Sequence, residues 1–499
     1  MSQKYTVRLE PLGKILKVNK GTPLIDILSE YGVEFPCGGR GTCYNCKVRI
    51  IEGDIETEAQ YKDILLKKGF DSSWRLACKS CIIQDVVLEI AQTDILILAD
   101  NTVFSFKPGR GYGLAIDLGT TTIVMQMVNL SNGHVLDALS AINLQSRYGA
   151  DIMSRISYAQ EHSGLEMLCH MIRSQLWNMM SIMIKRHNII PATILLVGNT
   201  LMHHLFSCID VRSLAFYPFE THEGGKKQFR AKELGWDLPE NTKIAFMPAL
   251  GSFVGSDILA GILATGMDKS EDLMALIDLG TNGEIVVGNR DLMLTASTAA
   301  GPAFEGTHIS QGMRAANGAI SSVFLRNNEI AYHVIGNEIP RGICGSGIID
   351  AVSVFLQTNQ INEAGQISSG KSWISVTDTI KLTQKDIYEY ILAKAAIASG
   401  IHILLNMLGK SDTDLKMVFI AGGFGNFITI DNAIITGLLE FPGEKILKAG
   451  NTALIGAKML LFKTDDSEQN IVSKTRHISL ESDTGFQDIF VSKMMLEKT

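Results

Sequence analysis

Apolar and polar residues alternate at the start of the chain, through Tyr5-Thr6-Val7-Arg8-Leu9, a turn at Pro11 and Gly13, and Ile15-Leu16-Lys17-Val18. A period of two puts one set of side chains on one face of a strand, so residues 5–18 predict a hairpin. Pro23 and Asp26 then open a short helix through Leu24, Ile27 and Leu28 to Gly32. Strand patterns return at Lys47–Ile51 and Val86–Ile90, and Gln92–Gly113, with Pro108-Gly109-Arg110-Gly111, reads as a linker. Beyond it, strand-like and helical runs alternate to the C-terminus, which predicts an α/β domain of two related lobes. The longest apolar segment, Ile391–Leu408, carries Lys394, His402 and Asn406 and predicts a buried helix rather than a membrane span.

One pentapeptide occurs twice. Ile116-Asp117-Leu118-Gly119-Thr120 recurs as Ile277-Asp278-Leu279-Gly280-Thr281, and an apolar strand follows each copy, Ile123–Val128 and Ile285–Gly288. The shared strand–turn–strand setting marks an internal duplication. The first turn continues through Thr121 and Thr122, the second through Asn282 and Gly283. Backbone N–H groups and hydroxyls in such turns suit phosphate oxygens, and the Asp can hold Mg²⁺ directly or through water. A third turn, Phe419-Ile420-Ala421-Gly422-Gly423-Phe424-Gly425, offers flat glycine backbone against which adenosine can lie. Each turn alone is explained by an ordinary hairpin; the ordered trio with its duplication points to nucleotide binding.

Ala299–Gly306, which includes Gly301, reads as a glycine turn entering a helix whose N-terminus faces phosphate. Glu305 in its first turns either reaches a ribose hydroxyl or stabilises the helix dipole. Asp117, Asp278 and Glu305 are all candidates for the catalytic base. Cys344, in Ile343-Cys344-Gly345-Ser346-Gly347, has no His close by in sequence and reads as a buried packing cysteine. His203-His204 reads as a poor bidentate pair, because adjacent side chains on a helix diverge.

Five of the eight cysteines fall within residues 37–81. Cys37, Cys43 and Cys46 are spaced C-x5-C-x2-C in a glycine-rich loop, with Cys78 ending Arg75-Leu76-Ala77-Cys78. Three thiolates from one loop and a fourth from a later segment is how a [2Fe–2S] cluster is held. A structural zinc site would favour C-x2-C pairs, here Cys43/Cys46 and Cys78/Cys81, and leaves Cys37 unused. Cys81 stands as the alternative fourth ligand.

A chain of 499 residues with 46% hydrophobic residues can bury substantial cores in more than one domain. Its formal charge of −7, without a basic stripe, argues against nucleic acid as a partner. The crowded cysteines do not resemble a secreted disulfide framework, and the polar Ser2-Gln3-Lys4 start lacks signal-peptide character. The expectation is a cytoplasmic protein with reduced thiols and no membrane partner.

The cysteine loop resembles plant-type and adrenodoxin-like ferredoxins, which implies a β-grasp domain over residues 1–94. The three glycine turns resemble the phosphate-1, phosphate-2 and adenosine motifs of the ASKHA superfamily (acetate and sugar kinases, actin). The resemblance implies a linker at 95–112, a two-lobed ATPase domain at 113–480 and a tail at 481–499. Together the parts look like the reductive activators of corrinoid-dependent enzymes, the RACE proteins of anaerobic methyltransferase and O-demethylase systems. The likeness extends through Tyr148–Arg155, Gly198–His204, Ala275–Gly288, Ser297–Ala319, Arg341–Asp350, Leu392–Ile397 and Ala421–Asn426. Longer members carry a middle domain, for which Gln92–Gly113 leaves no room, so the expectation is a short form lacking it.

By this resemblance Cys37, Cys43, Cys46 and Cys78 would hold the cluster. Gly119, Thr120, Thr121, Thr122, Gly280, Thr281, Asn282 and Gly283 would cradle phosphate, with Gly301 at its side and Gly422, Gly423 and Gly425 flanking adenosine. The implied activity is ATP-dependent reduction of a corrinoid protein from Co(II) to Co(I), fed by a low-potential electron donor, with a homodimer left open. A redox-regulated small-molecule kinase and an electron carrier with a docking module are the alternatives.

Overall fold

The computed structural model describes residues 3–496 except 11–12, 29–30, 32, 34, 36–38, 42–45, 68–69, 91–103, 150, 162, 222, 281, 307, 424, 464–466 and 484. The N-terminal part is a five-stranded sheet of β1 (Lys4–Glu10), β2 (Lys14–Asn19), β3 (Lys47–Glu52), β4 (Trp74–Leu76) and β5 (Val86–Glu89), in the order β2-β1-β5-β3-β4. β1 and β5 are parallel, the other pairs antiparallel. The alternation in β1 buries Val7 and Leu9 against Leu24 and Leu28 of the helix Leu24–Leu28. Gly32, the expected helix end, lies outside the described residues. This is the β-grasp arrangement the ferredoxin resemblance implies, with the helix Ala59–Lys67 and the strand Trp74–Leu76 added.

The two copies of the pentapeptide each begin a mixed sheet. In the first, β6 (Tyr112–Leu118), β7 (Thr122–Asn129), β8 (Val135–Ile142), β9 (Thr193–Val197), β10 (Lys227–Phe229) and β11 (Lys243–Phe246) run in the order β8-β7-β6-β9-β11-β10. In the second, β12 (Met274–Leu279), β13 (Gly283–Gly288), β14 (Met293–Thr298), β15 (Met417–Ala421), β16 (Ile446–Gly450) and β17 (Thr475–His477) run β16-β15-β12-β13-β14-β17. Each sheet is thus an antiparallel meander of three strands followed by two that add parallel beside the first. The duplication seen in five residues is a duplication of topology.

Two apolar helices, Ser256–Thr265 and Thr452–Leu461, fill the space between the halves. Ile258, Leu259, Leu454 and Ala457 join Ala115 and Leu195 of one sheet to Leu276 and Phe419 of the other in a single core. Gly456 is required there: a Cβ on it would lie 2.0 Å from the Ala260 carbonyl oxygen, so only glycine lets the helices approach this closely. The helix Gln384–Met407 is long and apolar enough to cross a membrane, yet 78% of its apolar window is buried inside the protein, against the second sheet.

Four expectations need adjustment. The linker expected at 95–112 is packed where it is described: Phe106 lies 4.4 Å, centroid to centroid, from Phe462. The expected tail at 481–499 is anchored, with Leu496 buried and its N–H donating to the Glu363 carbonyl at 2.8 Å. The expected helix after Gly301 is a single 3-10 turn, Pro302–Glu305. The thiols are not all reduced, since Cys169 and Cys208 form a disulfide between two packed helices, a pairing that 39 residues of separation conceal.

The N-terminal part touches both halves through ion pairs. Asp26 meets Arg147 of the first half, and Glu89 lies 3.8 Å from Arg341 of the second.

Candidate functional site

β6 and β12 end their parallel pairings at equivalent points, with Asp117 opposite Val197 and Asp278 opposite Ala421. The chain turns beyond each, so both aspartates face the cleft between the halves. A cavity of about 350 Å³ lies there, lined by Asp117, Gly119, Thr120, Thr121 and Thr122 from one turn and Asp278, Gly280 and Asn282 from the other. Glu305, Gly422 and Gly423 complete the expected part of the wall. Thr281 lies outside the described residues. Gly283, Gly301 and Gly425 are not on the wall; a Cβ on Gly283 would lie 2.8 Å from the side chains of Ile397 and Thr298, so its smallness serves packing.

The third turn sits against the second. Gly422 has φ of +90°, a region open to glycine, and a Cβ there would lie 2.6 Å from the Leu279 carbonyl oxygen. The first half repeats this contact: a Cβ on Gly198 would lie 2.5 Å from the Leu118 carbonyl oxygen. Asn199 follows, capping the helix Thr200–Ser207 and donating to Thr120 Oγ1 at 2.6 Å. Behind the first turn, Asn143 Nδ2 donates to the Gly119 carbonyl at 2.9 Å, and the fully buried Arg155 donates to the Thr120 carbonyl. The turn is therefore held from behind, leaving its front to the cleft.

The floor is acidic. Beside the expected aspartates stand Asp257, in the first turn of Ser256–Thr265, and Glu284, which pairs with Asp278 across β12–β13. Burial pushes Asp117 up to about 6, against the lowering effect of a hydrogen bond from Asn451 Nδ2 at 2.9 Å. Burial and then the charge of Asp117 push Asp278 up to about 7. Burial, with the charge of Asp278 next, pushes Asp257 up to about 8, and burial, with the charges of Asp257 and then Asp278, drives Glu284 well above the carboxylate range. Carboxylates that raise one another in this way fit the oxygen donor set of a hard cation, although no three of them are gathered at ligating distance among the described residues. Glu284 follows the second turn directly and is legible there; Asp257 has no signal beyond a glycine-led helix start.

Of the cysteines expected to hold a cluster, Cys37 and Cys43 lie outside the described residues. Cys46 and Cys78 come together: the Cys78 N–H donates to Cys46 Sγ at 3.4 Å, and Ala77 N–H donates to the Cys46 carbonyl at 2.8 Å. An amide aimed at sulfur is the environment a thiolate ligand needs. Gly39 and Gly41, with φ of +80° and +78°, supply the loop's left-handed turns. Cys81 instead lies in the strand Ser80–Ile82, paired with Glu56, and burial pushes its thiol up. His203 and His204 are buried and bonded to the Gly225 and Thr200 carbonyls, and Cys344 is buried at the cavity wall.

Three family descriptions cover the chain: a 2Fe-2S iron-sulfur cluster binding domain at 7–82, the RACo middle region at 112–270, and the C-terminal domain of RACo, the ASKHA domain, at 272–499. The middle region is therefore present, against the expectation of a short form. It is the segment that begins at β6, and its sheet shares five strands' order with the second, which is why the sequence resembles one two-lobed ATPase domain. The corrinoid activation enzyme RamQ of Eubacterium limosum is 35% identical over 440 residues, 80% of this chain and 74% of the relative. The [Co(II) methylated amine-specific corrinoid protein] reductase of Methanosarcina barkeri is 26% identical, over 77% of this chain and 76% of its own. A solved structure, the reductive activator for corrinoid, iron-sulfur protein, superposes with a TM-score of 0.69 at 27% identity, covering 99% of this chain and 98% of the other. With a 2Fe-2S domain, a middle region and an ASKHA domain in one chain, and a relative this similar over most of its length, the protein belongs to the RACo family.

Proposed function

We propose that this protein is an ATP-dependent reductive activase, returning a corrinoid protein from Co(II) to Co(I) with one electron from its 2Fe–2S domain. The observation that carries the reading is the joining, on one chain, of a 2Fe–2S domain to a two-sided acidic cleft. The names of its relatives, a corrinoid activation enzyme and a Co(II) corrinoid protein reductase, support the same substrate. Co(I) lies at very low potential, so the transfer runs uphill and needs a second source of free energy.

The residues divide the work. Cys37, Cys43 and Cys46 from one loop, with Cys78 from a later turn, would hold the cluster, which supplies single electrons when bound. The Gly119–Thr122 turn and the Gly280–Asn282 turn grip a phosphate chain from opposite halves, each with backbone N–H groups. Gly422 and Gly423 offer the flat wall for adenosine. Asp117 and Asp278, with Asp257 and Glu284 beneath, hold Mg²⁺ or orient the attacking water. Ligand bound to both turns draws the halves together, and the shift it can produce is limited by its differential affinity for the open and closed forms. Because Asp26 and Glu89 pair with different halves, closure also bears on where the 2Fe–2S domain sits.

The test mixes Co(II) corrinoid protein, a chemical reductant and purified protein, and follows Co(I) absorbance with and without ATP. Reduction that depends on ATP is expected; equal rates without ATP sink the coupling. ATP consumption driven by a small acid or sugar instead of a corrinoid protein would move the protein to the kinases.

A further inference from the structure

The chain leaves the second sheet at Gly450, the end of β16, and enters the helix Thr452–Leu461 that packs on the first half. Asn451 is the residue between. Its side chain is engaged in both directions: Oδ1 accepts from Leu454 N–H at 2.9 Å and caps the helix, while Nδ2 donates to Asp117 Oδ2 at 2.9 Å. Only the oxygen of a carboxamide accepts and only the nitrogen donates, so the cap dictates that the donor face Asp117. The residue before it is tied as well. The Gly450 carbonyl accepts from Gly422 N–H at 3.1 Å, and Gly422 in turn rests on Asp278. Residues 450 and 451 thus connect the third glycine turn to Asp117, and the turn itself abuts the second aspartate.

The two crossing helices are used crosswise. Ser256–Thr265, from the first half, brings Asp257 to Asp278 of the second half. Thr452–Leu461, from the second, brings the amide of Asn451 to Asp117 of the first. Asp257 feels Asp278 more strongly than Asp117, while Asp117 accepts from Asn451, so the duplicated carboxylates are not equivalent.

We propose that Asn451 is a positioning residue for Asp117. By holding Oδ2 it presents Oδ1 to the cleft as the oxygen for a divalent cation or its bound water. The Gly450–Gly422 bond keeps that carboxylate in register with the turn that receives the base. This rests on reading the cleft as a Mg·ATP site.

Serine at 451 keeps a good helix cap but is too short to reach Asp117, whereas alanine removes cap and donor together. In Asn451→Ser the expected melting temperature matches wild type, and ATP affinity in EDTA, by calorimetry, is unchanged. The gain in ATP affinity on adding Mg²⁺ falls about 10- to 100-fold, as for other groups that orient a metal ligand, and kcat falls while KM measured at saturating Mg²⁺ holds. Asn451→Ala shows the same loss with a lower melting temperature. A serine variant that keeps the full Mg²⁺ gain, with alanine lowering only the melting temperature, makes Asn451 a cap alone and overturns the inference. A wild-type protein that gains nothing from Mg²⁺ overturns the metal reading of the cleft, and this inference with it.

Discussion

Gly422 lies so close to Asp278 that a Cβ on the glycine would stand 2.7 Å from the carboxylate Oδ1. The wall expected to receive adenosine and one of the expected metal carboxylates are therefore in direct contact, not merely neighbours across a cavity.

Alanine at 422 would meet both a left-handed backbone and two oxygens, at 2.6 and 2.7 Å. Gly422→Ala is expected to destabilise by more than about 1 kcal/mol and to abolish ATP binding, seen as a lower melting temperature and a flat calorimetric titration. Gly423→Ala meets no atom within 4 Å and serves as the control. It should keep the melting temperature and weaken ATP alone. Equal effects of the two would show that the close packing at 422 has no special role.

The fourth cluster ligand divides two cysteines three residues apart. Cys78→Ser should lose the visible absorbance and the EPR signal of the reduced 2Fe–2S centre, while Cys81→Ser keeps both. The amide contact between Cys78 and Cys46 and the strand pairing of Cys81 lead to this expectation. A loss that follows Cys81 would reverse the assignment, and zinc in place of iron in the purified protein would end it.

The acidic floor sets a pH dependence. Asp117, Asp278 and Asp257 hold their protons up to about 6, 7 and 8 in the fold, against 3.8 for the ordinary carboxyl. Between those values the folded protein binds more protons than the unfolded chain, so stability falls as pH rises. In EDTA the melting temperature should drop steadily from pH 6 to pH 8. Mg²⁺ with ATP should flatten the slope, and Asp257→Asn should flatten it without metal while lowering ATP hydrolysis by about 10-fold or more. A melting temperature that rises over this window in EDTA would mean that the carboxyls are ionised in the fold and otherwise compensated.

Much of this architecture is legible in the chain. The alternation in Tyr5–Leu9 and Ile15–Val18 predicts the hairpin that forms, because one buried face enforces its register. The repeated Ile-Asp-Leu-Gly-Thr announces two sheets that share the order of five strands, and it places Asp117 and Asp278 together because equivalent strands end at equivalent points. Asn451 is illegible for a plain reason: its donor meets Asp117 across 334 residues of sequence, and nothing local distinguishes it from any other helix cap. The middle region is hidden by its likeness to the domain that follows, since a duplicated fold offers no change of texture at a domain boundary. The packing of Phe106 on Phe462 hides likewise in a stretch whose glycines and proline signal only a connection.

The duplication of the turns carries one more consequence. Gly198-Asn199 and Gly422-Gly423 occupy matching places, each glycine pressed on the carbonyl of the leucine that follows the aspartate. A cleft with true twofold symmetry would accept a nucleotide in either of two directions. Here Asn199 closes its end with a side chain bound to Thr120, while Gly423 leaves its end open. On the proposed reading of the cleft as an ATP site, this difference between the two turns would give the ligand a direction, with the base on the Gly423 side and the phosphate chain pointing away from it.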